Sequence, residues 1–192
     1  MTIFLILAPF GAFTLLMMLT SAIVSLLSAA AVCLATVALD RLHGRSLKIL
    51  PISSAILFVG IAAWLTLVDP TVSGKAVRLA VDIGILAVSL GSMLLRYPFT
   101  MQYALESVPS EIAAMPGFLR VNYAITGVWT AATLLMALAN AAILYVPGLP
   151  IWIGLAVTVA VRNSAIYFTR WYPQHHSMKY DMPPANALPR AH

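Results

Sequence analysis

Long uncharged stretches alternate with short polar ones along this chain. The first runs from Ile3 to Leu39 without a charged residue. These 37 residues would extend roughly 55 Å as one helix, nearly twice the hydrocarbon core of a bilayer. One straight crossing cannot use that length. The pattern therefore predicts a hairpin, with helices over 3–19 and 22–39 and a turn near Thr20 and Ser21; a re-entrant first element is the alternative.

Four further apolar stretches follow, each bounded by polar residues, prolines or glycines. The sequence predicts spans over 51–68, 79–95, 121–145 and 151–169, because about 20 apolar residues are what a transmembrane helix needs. With the hairpin, residues 1–170 are expected to form an all-α polytopic transmembrane bundle of about six spans. The proline-rich remainder, residues 171–192, is expected to be a flexible tail.

The composition agrees with a membrane class. The chain is 61% hydrophobic and 9% charged, whereas soluble domains carry about 25% charged residues. The net charge of +5 comes from basic residues scattered at the ends of apolar runs, so membrane lipids are expected partners and nucleic acid is not. The single cysteine excludes an internal disulfide, and the histidines form no ligand set, so neither metal nor cofactor is expected.

The distribution of positive charge predicts the orientation. With six spans, eight basic residues fall on one side and two on the other. The richer side should be cytoplasmic, which puts both termini and a loop over 96–120 there. The eight are Arg41, Arg45, Lys48, Arg96, Arg120, Arg170, Lys179 and Arg190; the two are Lys75 and Arg78.

The segment from Arg96 to Asn122 is the longest polar interruption before the tail, and it holds both glutamates of the protein. From Pro109 onward its apolar residues recur at helical spacing, which predicts a short amphipathic helix on the cytoplasmic surface, although Pro116 could end it early. The segment is either an ordinary interfacial connector or a docking surface for a partner protein or lipid. The candidate interaction residues here are Arg96, Pro98, Tyr103, Glu106, Glu111 and Phe118.

Two asparagines of the fifth span are expected to share one face. Asn122 and Asn140 are 18 residues apart, which is five helical turns, and Trp129 lies near the same face. A face with amides should point into the bundle, where interhelical hydrogen bonds contribute roughly 0.6 to 2 kcal/mol. These residues either hold helices together or line a ligand groove.

Asp82 and Arg162 lie within apolar spans, where a charged residue at the helix centre costs roughly 2.5 to 3.5 kcal/mol. Their depths differ by roughly 12 Å at the helical rise, which argues against a direct pair. We expect Asp82 near the outer interface, close to Lys75 or Arg78, and Arg162 extended toward the cytoplasmic headgroups. A shared polar pocket is the alternative.

The order of elements and a small set of residues resemble the bacterial intracellular septation protein A family. The shared features are a span that ends in a basic residue followed by proline (Leu95-Arg96-Tyr97-Pro98-Phe99), the stretch Leu119-Arg-Val-Asn122 that leads into a span with Trp129 and Leu138-Ala-Asn140, and a last span that ends with Ile166-Tyr167, Arg170 and Pro173-Gln174. The resemblance covers most of the chain at the level of element order.

This resemblance implies a non-enzymatic protein of the bacterial inner membrane that acts in septation and cell-envelope maintenance through contacts with division or envelope proteins or lipid. The runner-up function is a small membrane transporter that uses Asp82 and Arg162, which requires both to face one water-filled cavity. A membrane enzyme is the least expected class, because the sequence shows no nucleophile-base or metal constellation.

Overall fold

The computed structural model describes residues 3–179, with side chains over 7–175, and this part of the chain forms eight α-helices and no strand. They are α1 Ile3–Leu19, α2 Ala22–Leu42, α3 Ile49–Leu67, α4 Gly74–Leu94, α5 Phe99–Leu105, α6 Ser110–Ala113, α7 Pro116–Tyr145 and α8 Ile151–Lys179.

Five of the described helices, α2, α3, α4, α7 and α8, are long and apolar enough to cross a membrane. The apolar part of α1 is shorter, at Leu7–Leu19. Large apolar side chains such as Leu15, Leu34, Ile56 and Leu138 are exposed on the bundle, as lipid-facing residues are. The predicted all-α bundle is confirmed, and the chain is a multi-pass membrane protein.

The predicted hairpin between the first two helices is confirmed as well. The turn at Thr20 and Ser21 is specified by local hydrogen bonds, because the Ser21 hydroxyl accepts from the Val24 N–H at 3.4 Å and the Ser25 hydroxyl donates to the Ser21 carbonyl at 2.8 Å. Serine is a favoured residue at the start of a helix for this reason. Because of these bonds, α2 begins at Ala22, separated from the end of α1 at Leu19 by only two residues.

Each long helix packs mainly on its neighbours in a row. The order is α1, α2, α3, α4, α7 and α8, so α1 and α8 lie at opposite ends of it. At the α1 end, the Phe58 ring contacts the rings of Phe13 and Phe10, with centroids 5.6 and 6.2 Å apart. Phe58 is fully buried, which fixes α1 against α3.

The central segment differs from its prediction. The predicted amphipathic helix is divided, because α6 ends at Ala113 and α7 begins at Pro116. Phe118 and Leu119 therefore belong to the first turn of a spanning helix. Pro116 begins a helix rather than ending one, since the N–H that proline lacks would have no partner in a first turn. The short helix α5 was not predicted.

The predicted tail also differs, since α8 continues past residue 171 to Lys179 with Pro173 inside it. Aromatic rings four residues apart stack along this part of the helix: Phe168 on Tyr172 and Trp171 on His175, each with centroids 4.8 Å apart. Side chains at this spacing are neighbours on a helix surface and stabilise it. The rest of the predicted tail, 180–192, lies outside the described residues.

Candidate functional site

A cavity of about 320 Å³ lies among the helices, lined by residues of α1, α3, α4, α5, α7 and α8. Along α7 it extends from Asn122 to Asn140, which is roughly 27 Å at the helical rise. Ligand pockets in proteins range from about 300 to 1,000 Å³. We refer to its two ends as the α5 end, beside Asn122, and the far end, beside Asn140.

The far end carries four polar side chains that we call the Asp82 cluster: Arg78, Asp82, Asn140 and Arg162. All four line the cavity. The Asn140 amide donates to the Asp82 carboxylate at 2.6 Å, and Asp82 interacts electrostatically with both guanidinium groups. Arg78 is held in place because its Nη2 donates to the Met17 carbonyl at 3.2 Å. The cluster therefore joins α4, α7 and α8 at one level of the bundle.

The Arg162 side chain lines the same polar pocket as Asp82. The predicted extension toward the opposite headgroups is therefore wrong, and the alternative of a shared pocket is correct. Side chains in a helix lean toward its N-terminus, and α8 begins at the far end. This direction brings the guanidinium toward Asp82 and compensates for much of the difference in depth. As predicted, the two residues do not form a direct pair, since the ion pairs among the described residues lie elsewhere. Asp82 lies near Arg78, one of its two predicted neighbours.

The charges of the Asp82 cluster do not cancel. Among the described residues that line the cavity there are one carboxylate, Asp82, and two guanidinium groups, Arg78 and Arg162, so the sum is one positive charge. Guanidinium groups bind carboxylates and phosphates through paired hydrogen bonds. The far end is thus suited to an anionic group.

The middle of the cavity is lined by apolar side chains and by hydroxyl groups that already have hydrogen-bond partners. Three of its hydroxyl groups bond within the protein: Thr14 donates to the Phe10 carbonyl at 2.8 Å and Thr133 to the Trp129 carbonyl at 2.9 Å, and Ser89 shares a hydrogen bond with Thr130 at 2.5 Å. These groups are therefore satisfied without a ligand.

At the α5 end, the helix α5 is held between α4 and α7. The Phe99 N–H donates to the Ser92 hydroxyl at 3.2 Å, and the Thr100 hydroxyl lies 2.7 Å from that of Thr126. The Asn122 amide donates to the Phe118 carbonyl at 2.9 Å. These bonds position Thr100 and Tyr103 of α5 in the cavity lining.

Beyond α5 lies a second group of charges, the Lys48 cluster, formed by Asp40, Arg45, Lys48 and Glu106. The Lys48 side chain is 0% exposed, and its Nζ lies 2.8 Å from Asp40 Oδ2 and 3.0 Å from Glu106 Oε2. Arg45 Nη1 faces the other oxygen of Asp40 at 3.6 Å. The cluster connects the loop between α2 and α3 to the end of α5.

Hydrogen bonds extend this connection. Both the N–H and the hydroxyl of Ser46 donate to Glu106 Oε1, at 3.1 and 2.9 Å. The Ile49 N–H donates to the Gln102 side chain at 2.7 Å. Burial acts to raise the pKa of Glu106, but the bonds from Lys48 and Ser46 outweigh it and hold that pKa below its ordinary value.

The structure assigns the candidate residues of the sequence to three environments. Asp82, Asn122, Trp129, Asn140 and Arg162 line the cavity, as does Tyr103, so the predicted shared face of Asn122, Trp129 and Asn140 is confirmed. Glu106 belongs to the Lys48 cluster. Pro98 and Phe118 are buried, whereas Arg96 and Glu111 are exposed at the α5 end of the bundle.

The roles of Asp40 and Lys48 were not predicted from the sequence, because the polar loop after the second helix was used only to predict the orientation of the spans. A usable signal was present, because Asp40 repeats the helical face of two buried residues, Cys33 and Thr36. A carboxylate on a buried face requires a cation, and Lys48 follows closely in the chain.

No family model, curated protein or solved structure matches this chain. The resemblance to the septation protein A family stays a prediction.

Proposed function

We propose that this protein is a small membrane transporter that binds a ligand with an anionic group in the central cavity. The observation that carries the proposal is the Asp82 cluster, in which two guanidinium groups and one carboxylate face a common space between α4, α7 and α8. Asp82 and Arg162 line one cavity, which is part of what the transporter prediction requires.

The energetics support a functional role. A charged residue at the centre of a span costs roughly 2.5 to 3.5 kcal/mol; Asp82 and Arg162 lie within spanning helices, and Arg78 near the start of α4 lies beside them. Asp82 reduces the repulsion between the two guanidinium groups when no ligand is bound. An anion in the cavity would supply the negative charge that the cluster lacks, in surroundings where charges interact more strongly than in water.

The test is uptake by proteoliposomes that contain the purified protein. We expect uptake of at least one of three labelled anions, acetate, octanoate and inorganic phosphate, above that of empty vesicles. Arg162→Gln should abolish it, and Arg170→Gln, which removes an exposed arginine from the same helix, should not. Equal uptake by the two variants, or no uptake of any probe, would contradict a transport function.

A second candidate function follows from the family resemblance: a factor of the bacterial inner membrane that acts in septation or envelope maintenance through protein or lipid contacts. The observation that favours it is a surface at the α5 end, which we call the rim, where exposed apolar side chains lie beside two arginines. The rim consists of Leu95 at 78% exposure, Tyr97, Met115 and Leu119 with Arg96 and Arg120.

In-cell photo-crosslinking tests this second function. A photoreactive residue at Tyr97 or Met115 should capture division or envelope proteins, whereas the same residue at Phe118, which is 8% exposed, should capture nothing specific. Lipid as the only crosslinked product would mean that the rim contacts the membrane surface and does not bind a protein. Identical products from the rim and from Phe118 would argue against any specific contact there.

A further inference from the structure

We infer that the ligand of the cavity is a single-chain amphiphile, with an anionic headgroup at the Asp82 cluster and one alkyl chain that extends toward α5. The inference rests on the proposed function and narrows its ligand class. It follows from where the charge of the cavity lies, what forms the walls and which hydrogen bonds are already taken.

Charge is confined to one end of the cavity. The guanidinium groups and the carboxylate of the described lining all belong to the Asp82 cluster. At the α5 end, the described lining is formed by aromatic, small and uncharged side chains, such as Phe99, Ala104 and Ser107. A ligand that fills this length thus meets a cationic site at one end and neutral surroundings over the rest.

The walls between the two ends are mainly apolar and firmly held. Leu7, Phe10 and Phe13 of α1 form one side, and the two rings are packed on the buried Phe58. Ile125 and Met136 of α7 also line the cavity. Such walls gain free energy by covering methylene groups, and each buried CH₂ increases affinity about fourfold.

Four of the hydroxyl groups that line the cavity already bond within the protein and offer little to a polar solute. Thr14, Thr133 and Ser89 bond within the protein, and the Thr169 hydroxyl donates to the Ala165 carbonyl at 2.8 Å. A small hydrated anion would have to give up its water here without replacement bonds, which is unfavourable. An alkyl chain requires none.

Trp129 offers a direct probe, because it lines the cavity between the two ends. The other three tryptophans, Trp64, Trp152 and Trp171, are 56%, 65% and 41% exposed, so each can be replaced by Phe on the outside of the bundle. In phosphatidylcholine nanodiscs, this single-tryptophan protein is titrated with undecanoate brominated at the chain end, since bromine quenches indole fluorescence on contact. Brominated undecanol, which lacks the charge, is the matched control.

We expect saturable quenching of Trp129 by the brominated acid and only weak, unsaturated quenching by the alcohol. Arg162→Gln should lower the affinity for the brominated acid by about tenfold or more, as the loss of a charge-assisted hydrogen bond does. Arg170→Gln should leave that affinity unchanged. Asp82→Asn should raise the affinity for the brominated acid by about threefold or more, because removal of the carboxylate raises the positive charge of the site. A folding defect cannot produce that gain.

Displacement of the brominated acid by unlabelled anions identifies the headgroup that the site prefers. It also distinguishes failure of the alkyl-chain inference from failure of the proposed function. Displacement by dodecanoate or by dodecyl phosphate supports the inference, and the one effective at lower concentration identifies a carboxylate or a phosphate headgroup. Displacement by acetate or inorganic phosphate as effective as that by dodecanoate would overturn the alkyl-chain inference and leave anion transport standing. Equal quenching by acid and alcohol, or no difference between Arg162→Gln and Arg170→Gln, would remove the inference and the proposed function together.

Discussion

The Lys48 cluster and the Asp82 cluster use the same residue types in opposite ways. In the Lys48 cluster, two carboxylates meet two cations, Lys48 and Arg45, at 2.8 to 3.6 Å, and the charges cancel. In the Asp82 cluster, one carboxylate faces two guanidinium groups across a cavity, and one positive charge remains. Ion pairs that satisfy one another hold elements together. Charges that remain unmatched beside a cavity are available to a ligand.

The two clusters lie toward opposite ends of the cavity. The Lys48 cluster connects the α2–α3 loop to α5, so it determines where the α5 end of the cavity lies. Tyr103 belongs to both regions, because its ring lies 5.3 Å from Lys48 Nζ and also lines the cavity. Disruption of the first cluster should lower stability, whereas disruption of the second should mainly alter binding.

Replacement of Lys48 should have the largest effect on stability. Lys48→Met leaves the carboxylates of Asp40 and Glu106 without their buried cation, and the loss of one partner of a buried ion pair typically costs about 3 to 5 kcal/mol. Thermal unfolding in detergent measures it. Arg45→Met is the matched control within the cluster, since Arg45 is 39% exposed and 3.6 Å from Asp40, and it should cost about 1 kcal/mol or less. Comparable losses would refute a central role for Lys48.

Glu106→Gln should have a smaller effect, because glutamine retains an acceptor for Ser46 but not the charge that faces Lys48. Hydrogen bonds to charged groups contribute about 1.5 to 3 kcal/mol, and we expect a loss near the lower end of that range. Denaturant unfolding of the variant measures it. Glu111→Gln removes an exposed carboxylate of the same segment and should be nearly neutral; if it is equally destabilising, the ion pair is not the cause.

The pH dependence of this difference tests its origin. The pKa of Glu106 is lowered in the folded protein, so its contribution to stability is fully present above the unfolded pKa of about 4.3. It is lost as the pH falls through the lower folded pKa. The melting temperatures of the wild type and Glu106→Gln should therefore converge between neutral pH and strongly acidic pH. A constant difference would mean that glutamine perturbs packing rather than charge.

Much of the fold could be predicted because hydrophobic length and chain punctuation determine it. The end of α1 at Leu19 followed from the turn residues Thr20 and Ser21, and the end of α7 at Tyr145 from the proline and glycine that follow it, whereas α2 continues to Leu42, three residues past its predicted end. Helix starts near the polar segments were less accurate. At Pro116 and beyond residue 171, proline was interpreted as the end of a helix although the helix contains it.

The sites were only partly predictable, because each depends on which helices are neighbours. The shared face of Asn122 and Asn140 followed from helical spacing alone. The association of Asn140 with Asp82 required α4 to pack on α7, and that of Glu106 with Lys48 bridges 58 residues of chain. Element order does not specify such contacts. The direction of Arg162 could have been inferred, since the lean of helical side chains toward the N-terminus is a general rule.

Replacement of either asparagine of α7 should have the smallest effect on stability, but the two variants should differ in ligand affinity. Asn122→Ala and Asn140→Ala each remove hydrogen bonds within the membrane, where such bonds contribute about 0.6 to 1.7 kcal/mol, so both should unfold slightly earlier. Only Asn140 donates to Asp82, so only its loss should change the affinity for an anionic amphiphile, measured by quenching of Trp129. Equal changes in affinity would assign Asn140 to packing, like Asn122, and would leave Arg78, Asp82 and Arg162 as the ligand-binding part of the cluster.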